Sequence, residues 1–222
     1  MEKTLGIIHA SHITISAMEP YLRRYLPEGV EVMHLCDDTI QRDNIKAGAG
    51  VIPKVNYFKF AQYAHNLEEA GADLILLACS TFNYAAELAR PMIQVPIAQI
   101  DRPMMEKAVQ TGRRIGLLAT LETTVPSSQR LLEIAAQEAG KEITCKTVLC
   151  SKAFEEYSKG NVEEHNRILT QAVEDLSGEV DCIVMAQLSM SALAPYLKNT
   201  RVPVYNSGET GFQRVREMLE AL

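Results

Sequence analysis

The sequence predicts an α/β protein of two similar lobes, each a mostly parallel sheet flanked by helices, related by a pseudo-twofold axis. Three observations predict it. Short apolar runs alternate with longer amphipathic stretches along the whole chain, the alternation that builds parallel sheets covered by helices. Two of the runs, Leu74-Ile75-Leu76-Leu77-Ala78 and Cys182-Ile183-Val184-Met185-Ala186, are continuously apolar, as strands buried on both faces are. The pattern also repeats: Gly6 and Gly116, Asp73 and Asp181, and Val95-Pro96 and Val202-Pro203 stand about 108 residues apart.

The elements follow in order. Leu5–Ile8 reads as a first strand and Val30–Leu35 as a second. A helix is expected from Asn56 to Ala70, stopped by Gly71, because glycine accepts the left-handed conformation that ends helices. The buried strand Leu74–Ala78, a helix over Asn83–Ala89 and a short edge strand Val95–Ala98 complete the first half. The second half repeats them: a strand at Arg114–Leu118, a helix over Pro126–Ala139 closed by Gly140, and a strand at Thr144–Leu149. A helix over Asn161–Leu176, the buried strand Cys182–Ala186, a short strand Val202–Tyr205 and a helix over Gly208–Leu222 follow. Arg42 and Asp43, before the Gly48-Ala49-Gly50 stretch, are expected in a loop over the cleft. The expected division puts residues 1–102 and 208–222 in the first lobe and 103–207 in the second, with loops at the carboxyl ends of the strands lining one cleft between them.

The bulk composition excludes several classes. The net charge of −6 argues against a broad nucleic-acid surface, which needs clustered Lys and Arg. No apolar run approaches the ~20 residues that span a bilayer, and Met1-Glu2-Lys3-Thr4 lacks a signal-peptide layout, so a cytoplasmic location is expected. The five cysteines form no CxxC pair and no zinc-ligand spacing; no metal or cofactor is expected. The expected partner is a small carboxylate substrate, with no nucleic acid and no membrane, and a homo-oligomer remains open.

The chemistry concentrates at Leu77-Ala78-Cys79-Ser80-Thr81-Phe82-Asn83. A thiol stands where a buried strand gives way to a helix. Ser80 and Thr81 are natural capping residues. The unpaired N–H groups of such a turn favour a bound carboxylate and, equally, a thiolate at Cys79. An inert buried cysteine between two caps is the bland alternative. His9 and His12, in His9-Ala10-Ser11-His12, follow the first strand, where either could orient substrate or act as a second acid. His34, His65 and His165 are scattered and expected in surface or helix roles.

Ala78-Cys79-Ser80-Thr81 resembles the first cysteine motif of the aspartate/glutamate/hydantoin racemase superfamily, where Ala-Cys-Asn-Thr is common. Gly6-Ile7-Ile8-His9-Ala10-Ser11 stands where that family has its first substrate loop. Ile115-Gly116-Leu117-Leu118-Ala119-Thr120-Leu121-Glu122-Thr123 resembles the opening of its second lobe. The resemblance implies a two-lobed, cofactor-independent fold with Cys79 as catalytic acid or base. It implies substrate contacts from His9, Ser11, Ser80, Thr81, Thr120, Thr123, Gln187 and Ser189. The family's second thiol, counted from Asp181, falls on Gln187, and an amide is a poor proton shuttle. Racemisation or isomerisation at the α-carbon of a small carboxylate or amino-acid-like compound is therefore the first expectation. A decarboxylase or other lyase resembling the single-thiol arylmalonate decarboxylases is the second. A non-catalytic small-acid-binding protein is the third.

Overall fold

The computed structural model describes residues 3–197 and 199–222. It holds two four-stranded sheets in which every pairing is parallel. The first comprises β1 (Thr4–His9), β2 (Glu31–Cys36), β3 (Leu74–Leu77) and β4 (Ile97–Gln99), in the order β2-β1-β3-β4. The second comprises β5 (Arg114–Ala119), β6 (Thr144–Leu149), β7 (Cys182–Met185) and β8 (Val204–Asn206), in the order β6-β5-β7-β8. The registers correspond: Leu5 lies opposite Leu74 in one sheet and Ile115 opposite Cys182 in the other. β3 and β7 are buried along their whole lengths, as their continuous apolar sequences require.

Nine helices cover the sheets among the described residues: α1 (Ile13–Tyr25), α2 (Asp38–Ala47), α3 (Lys54–Glu69), α4 (Tyr84–Ala89), α5 (Arg102–Thr111), α6 (Val125–Glu138), α7 (Ser151–Ser158), α8 (Val162–Leu176) and α9 (Ser207–Ala221). None is long and apolar enough to cross a membrane. The five anticipated from the sequence, α3, α4, α6, α8 and α9, sit within two residues of the expected bounds. The other four were not anticipated. In α1, Ile13-Thr14-Ile15-Ser16 alternates like a strand and Pro20 interrupts the interior, so its pattern does not read as helical. Arg42 and Asp43 lie inside α2, bonded to each other at 2.8 Å, and not in a loop. Asp37 starts that helix by accepting from the Thr39 N–H at 2.9 Å.

The repeated sequence signals have repeated structural causes. Asp73 accepts from the Thr4 N–H at 2.7 Å, and Asp181 accepts from the N–H groups of Arg113 and Arg114 at 2.9 Å. Each aspartate thus fixes the start of its lobe's first strand. Gly6 and Gly116 let a helix approach the sheet closely. A Cβ on Gly6 would stand 2.9 Å from Leu67 Cδ1, and one on Gly116 2.6 Å from Leu176 Cδ2. The last helix, α9, packs Phe212, Val215 and Leu219 into one buried cluster with Leu5, Ile7, Met18, Leu74 and Leu76.

Candidate active site

Residues just beyond the carboxyl ends of β1, β3, β5 and β7 meet in a cleft of about 260 Å3. Cys79 stands two residues past β3 and Gln187 two residues past β7, so they are counterparts across the repeat. Ser11, Ser80, Thr81, Thr120, Gln187 and Ser189 all line this cleft with Cys79. A larger hollow of about 540 Å3 beside α8 holds none of the predicted residues.

Two predicted contacts are placed elsewhere. His9 is fully buried and is not among the residues that line the cleft. Its Nδ1 lies 2.7 Å from Thr14 Oγ1 and its Nε2 2.9 Å from His34 Nδ1. Because the Thr14 hydroxyl donates to the Ser11 carbonyl at 2.7 Å, His9 Nδ1 must donate to Thr14, and His9 Nε2 accepts from His34. Burial, and then the neighbouring His34, lower the His9 pKa to about 4. Thr123 also stands outside the cleft, and Thr124 takes its place there. The residues 122–124 form a tight 3-10 turn, so a shift of one position changes the face presented. Thr124 Oγ1 meets Thr81 Oγ1 at 3.2 Å, a hydrogen bond linking the loops after β3 and β5. His12 is exposed, bonded to Asp38 at 3.0 Å, and does not reach the cleft.

Cys79 occupies the cap position of the 3-10 turn Ser80–Phe82. The N–H groups of Thr81 and Phe82 act on its sulfur and favour the thiolate, the effect expected of the turn. Burial is larger and opposes them, with the Asp101 carboxylate adding to it, and the thiol is pushed up to about 12. The thiol retains a small exposed surface toward the cleft, yet the apolar packing behind it dominates. Burial thus favours the protonated thiol over the thiolate that the turn alone would favour. Asp101 was not anticipated from the sequence. It is fully buried beside the turn and accepts from Asn83 Nδ2 at 3.1 Å, and burial raises its own pKa.

Across the cleft, Gln187 is nearly buried and oriented without ambiguity. Its Oε1 accepts from the Thr120 N–H at 2.7 Å and from the Thr120 hydroxyl at 3.0 Å. A backbone N–H can only donate, so the amide oxygen must face Thr120. The Nε2 group has no hydrogen-bond partner among the described residues and is not sealed, which leaves it as a fixed donor for the cleft.

His165 was expected in a surface or helix role; the structure buries it on α8 and makes it part of the cleft lining, with Phe154 and Tyr157. Its Nδ1 lies 2.9 Å from the Ala153 carbonyl and its ring centroid 5.0 Å from that of Tyr157. The sequence carried a signal for this burial. His165 shares the helical spacing of the buried Leu169, Val173 and Leu176, which places it on the apolar stripe.

The cleft of this two-lobed α/β protein thus brings together a thiol, paired hydroxyls and a fixed amide from loops of both sheets. A family model described as Asp/Glu/Hydantoin racemase matches residues 8–215, and the chain belongs to that family. A glutamate racemase from Aquifex pyrophilus is 24% identical over 148 residues, 64% of this chain and 57% of its own length. One from Lactococcus lactis is 21% identical over 150 residues, 65% of this chain and 54% of its own length. The matched segment thus spans a little over half of these curated relatives. Solved structures share the fold. An aspartate racemase homologue from Pyrococcus horikoshii has a TM-score of 0.74 at 19% identity, covering 99% of this chain and 100% of its own. An allantoin racemase from Klebsiella pneumoniae has a TM-score of 0.70 at 20% identity, covering 99% and 88%.

Proposed function

We propose that the protein is a cofactor-independent racemase or isomerase acting at the α-carbon of a small carboxylate or amino-acid-like compound, with Cys79 as acid or base. The observation that carries this reading is the Cys79 sulfur on a turn whose Thr81 and Phe82 N–H groups point at it, sharing one cleft with hydroxyls and an amide donor from the other lobe. The substrate carboxylate would be held by donors around Ser80, Thr81 and Thr124, with Gln187 Nε2, oriented by Thr120, opposite. These donors stabilise the enolate oxygens that develop as the α-proton leaves, where fixed dipoles act most strongly. Among the described residues no Lys, Arg, Asp or Glu lines the cleft, and Ile13, Ala17, Ile45, Leu121, Phe154 and Leu188 form apolar walls. That lining favours a substrate with one carboxylate and an apolar α-substituent over one with a second charged end.

The energetics are workable. A thiol at about 12 costs roughly 7 kcal/mol to ionise at pH 7, at about 1.4 kcal/mol per pKa unit. A turnover of about 10 per second corresponds to a total barrier of roughly 16 kcal/mol, so ionisation fits within it. The thiolate, once formed, is also a stronger base than an ordinary one. The same raised thiol favours a second reading. A protonated Cys79 suits a lyase, in which loss of carbon dioxide generates the carbanion and the thiol protonates it.

Solvent-deuterium exchange over dicarboxylates, hydantoins, sugar acids and aryl-substituted carboxylates tests both. Exchange at Cα with inversion supports the racemase. Carbon dioxide release with one-face deuterium uptake supports the lyase. Full activity in Cys79→Ala on a turned-over substrate would overturn both.

A further inference from the structure

We propose that His165 is the second proton-handling group of the cleft, acting on the face of the substrate opposite Cys79. The inference rests on the acid–base role proposed above for Cys79. Gln187, the counterpart of Cys79, cannot move a proton, so two-base chemistry requires a titratable group elsewhere in the second lobe. His165 is the one imidazole among the described residues lining the cleft.

Its two nitrogens have different duties. Nδ1 faces the Ala153 carbonyl at 2.9 Å, and a carbonyl only accepts, so Nδ1 carries a proton and donates it. Nε2 then bears the lone pair. No hydrogen bond among the described residues uses Nε2, and it is not one of the sealed, partnerless atoms. A nearly buried ring that lines the cleft and leaves one nitrogen unclaimed offers that nitrogen to the cleft's occupant. Phe154 and Tyr157 flank it, which limits competition from water.

The internal repeat shows how the group arose in the fold. In the first lobe the third residue of α2, Ile40, offers its carbonyl to Asn56 Nδ2 near the start of α3, at 3.3 Å. In the second lobe the third residue of α7, Ala153, receives His165 near the start of α8. The two side chains perform the same tether. Asn56 is sealed, its Oδ1 buried without a partner, whereas His165 opens on the cleft. The first lobe thus pairs a thiol at 79 with an amide at 56, and the second an amide at 187 with an imidazole at 165.

The proton balance closes. In one direction the Cys79 thiolate takes the α-proton while the His165 imidazolium delivers its Nε2 proton to the other face. The C–H bond electrons pass into the carboxylate as an enolate and return to form the new C–H bond. The products are thiol and neutral imidazole, which is the state that runs the reverse direction. His165 Nδ1 stays bonded to Ala153 throughout.

His165→Asn is the test, because it copies the first lobe's own tether and keeps a donor for Ala153. Each enantiomer of aspartate, glutamate, 5-benzylhydantoin and 2-phenylpropionate would be followed by NMR in deuterated water. Inversion is expected to fall at least about 100-fold, the usual loss of a general acid or base, while Cys79-dependent exchange on one face continues. Inversion within about threefold of wild type, with an unchanged melting curve, would overturn the proposal. Cys79→Ser separates the two readings: retained exchange there refutes the role of Cys79 whatever His165 does. Should no probe exchange, the four-carbon bis-alkylator 1,4-dibromobut-2-ene decides. It spans roughly the 6–7 Å between two groups each in near-attack contact with one carbon. A Cys79–His165 cross-link in the peptide map supports the proposal, Cys79 alkylated at one end only overturns it, and a wholly unreactive Cys79 counts against the acid–base reading beneath it.

Discussion

Cys79 should be a slow nucleophile in the free protein. The thiol is raised from an ordinary value of 9.0 to about 12, chiefly by burial. At pH 8 its thiolate fraction is therefore about 1000-fold below that of an unperturbed thiol. The thiolate that does form is more basic, and nucleophilicity rises with basicity at a slope of about 0.4–0.5, which restores roughly 25-fold. The net expectation is alkylation by iodoacetamide roughly 40-fold slower than that of N-acetylcysteine at pH 8. The logarithm of the rate should keep rising with unit slope above pH 9, where the reference thiol levels off. Peptide mapping by mass spectrometry distinguishes Cys79 from the exposed Cys36 and Cys145. Alkylation of Cys79 as fast as the reference at pH 8 would refute the argument that burial outweighs the N–H groups of Thr81 and Phe82.

His9 has a folded pKa of about 4, below its ordinary 6.5, so protonation favours the unfolded chain. Its contribution is fully present above pH 6.5 and lost as pH falls from there toward 4, by about 3 kcal/mol in all; calorimetry should show that decline flattened in His9→Gln. Gly116→Ala places a methyl 2.6 Å from Leu176 and 3.2 Å from Ile183, and urea unfolding should register a loss of about 1–3 kcal/mol from overpacking. Thr124→Val removes the partner of the Thr81 hydroxyl at 3.2 Å and should lower kcat/KM about 5- to 10-fold, the worth of a neutral hydrogen bond, whereas Thr123→Val should change it less than twofold; steady-state kinetics on a turned-over substrate checks both.

The central strands were legible because burial on both faces writes itself as unbroken apolar sequence at Leu74–Leu77 and Cys182–Met185. The repeat was legible because the same local problems, a strand start and a close helix approach, call for the same Asp and Gly in both halves. Helix α2 was not, since only Ile40 and Asn44 of its ten residues are buried, which gives no apolar stripe to read. At the site, the sequence identified the turns but not their rotation. The one-residue exchange of Thr123 for Thr124 depends on the phase of a short 3-10 turn, which periodicity does not encode. The fate of His9 was set by its neighbours, Thr14 on the following helix and His34 on the adjacent strand. His165 shares the helical spacing of the apolar stripe, but spacing alone does not distinguish a buried polar residue from one that interrupts the stripe.

The return of α9 to the first sheet has a bearing on how the chain is made. The two clusters on either side of the second sheet draw only on residues between Met104 and Tyr205. One face of the first sheet, by contrast, is covered only in part, by Met18 and Leu22 of α1, until Phe212, Val215 and Leu219 arrive to complete the cluster over Leu5, Ile7, Leu74 and Leu76. During vectorial synthesis, where domains tend to fold as they emerge, the half synthesised second has all its packing partners before the half synthesised first. A ribosome-bound chain ending near Asn206 would therefore present a finished second lobe and an unfinished first one. The loop carrying Cys79, which leaves β3 between those two faces, would acquire its final position only once α9 has emerged and docked.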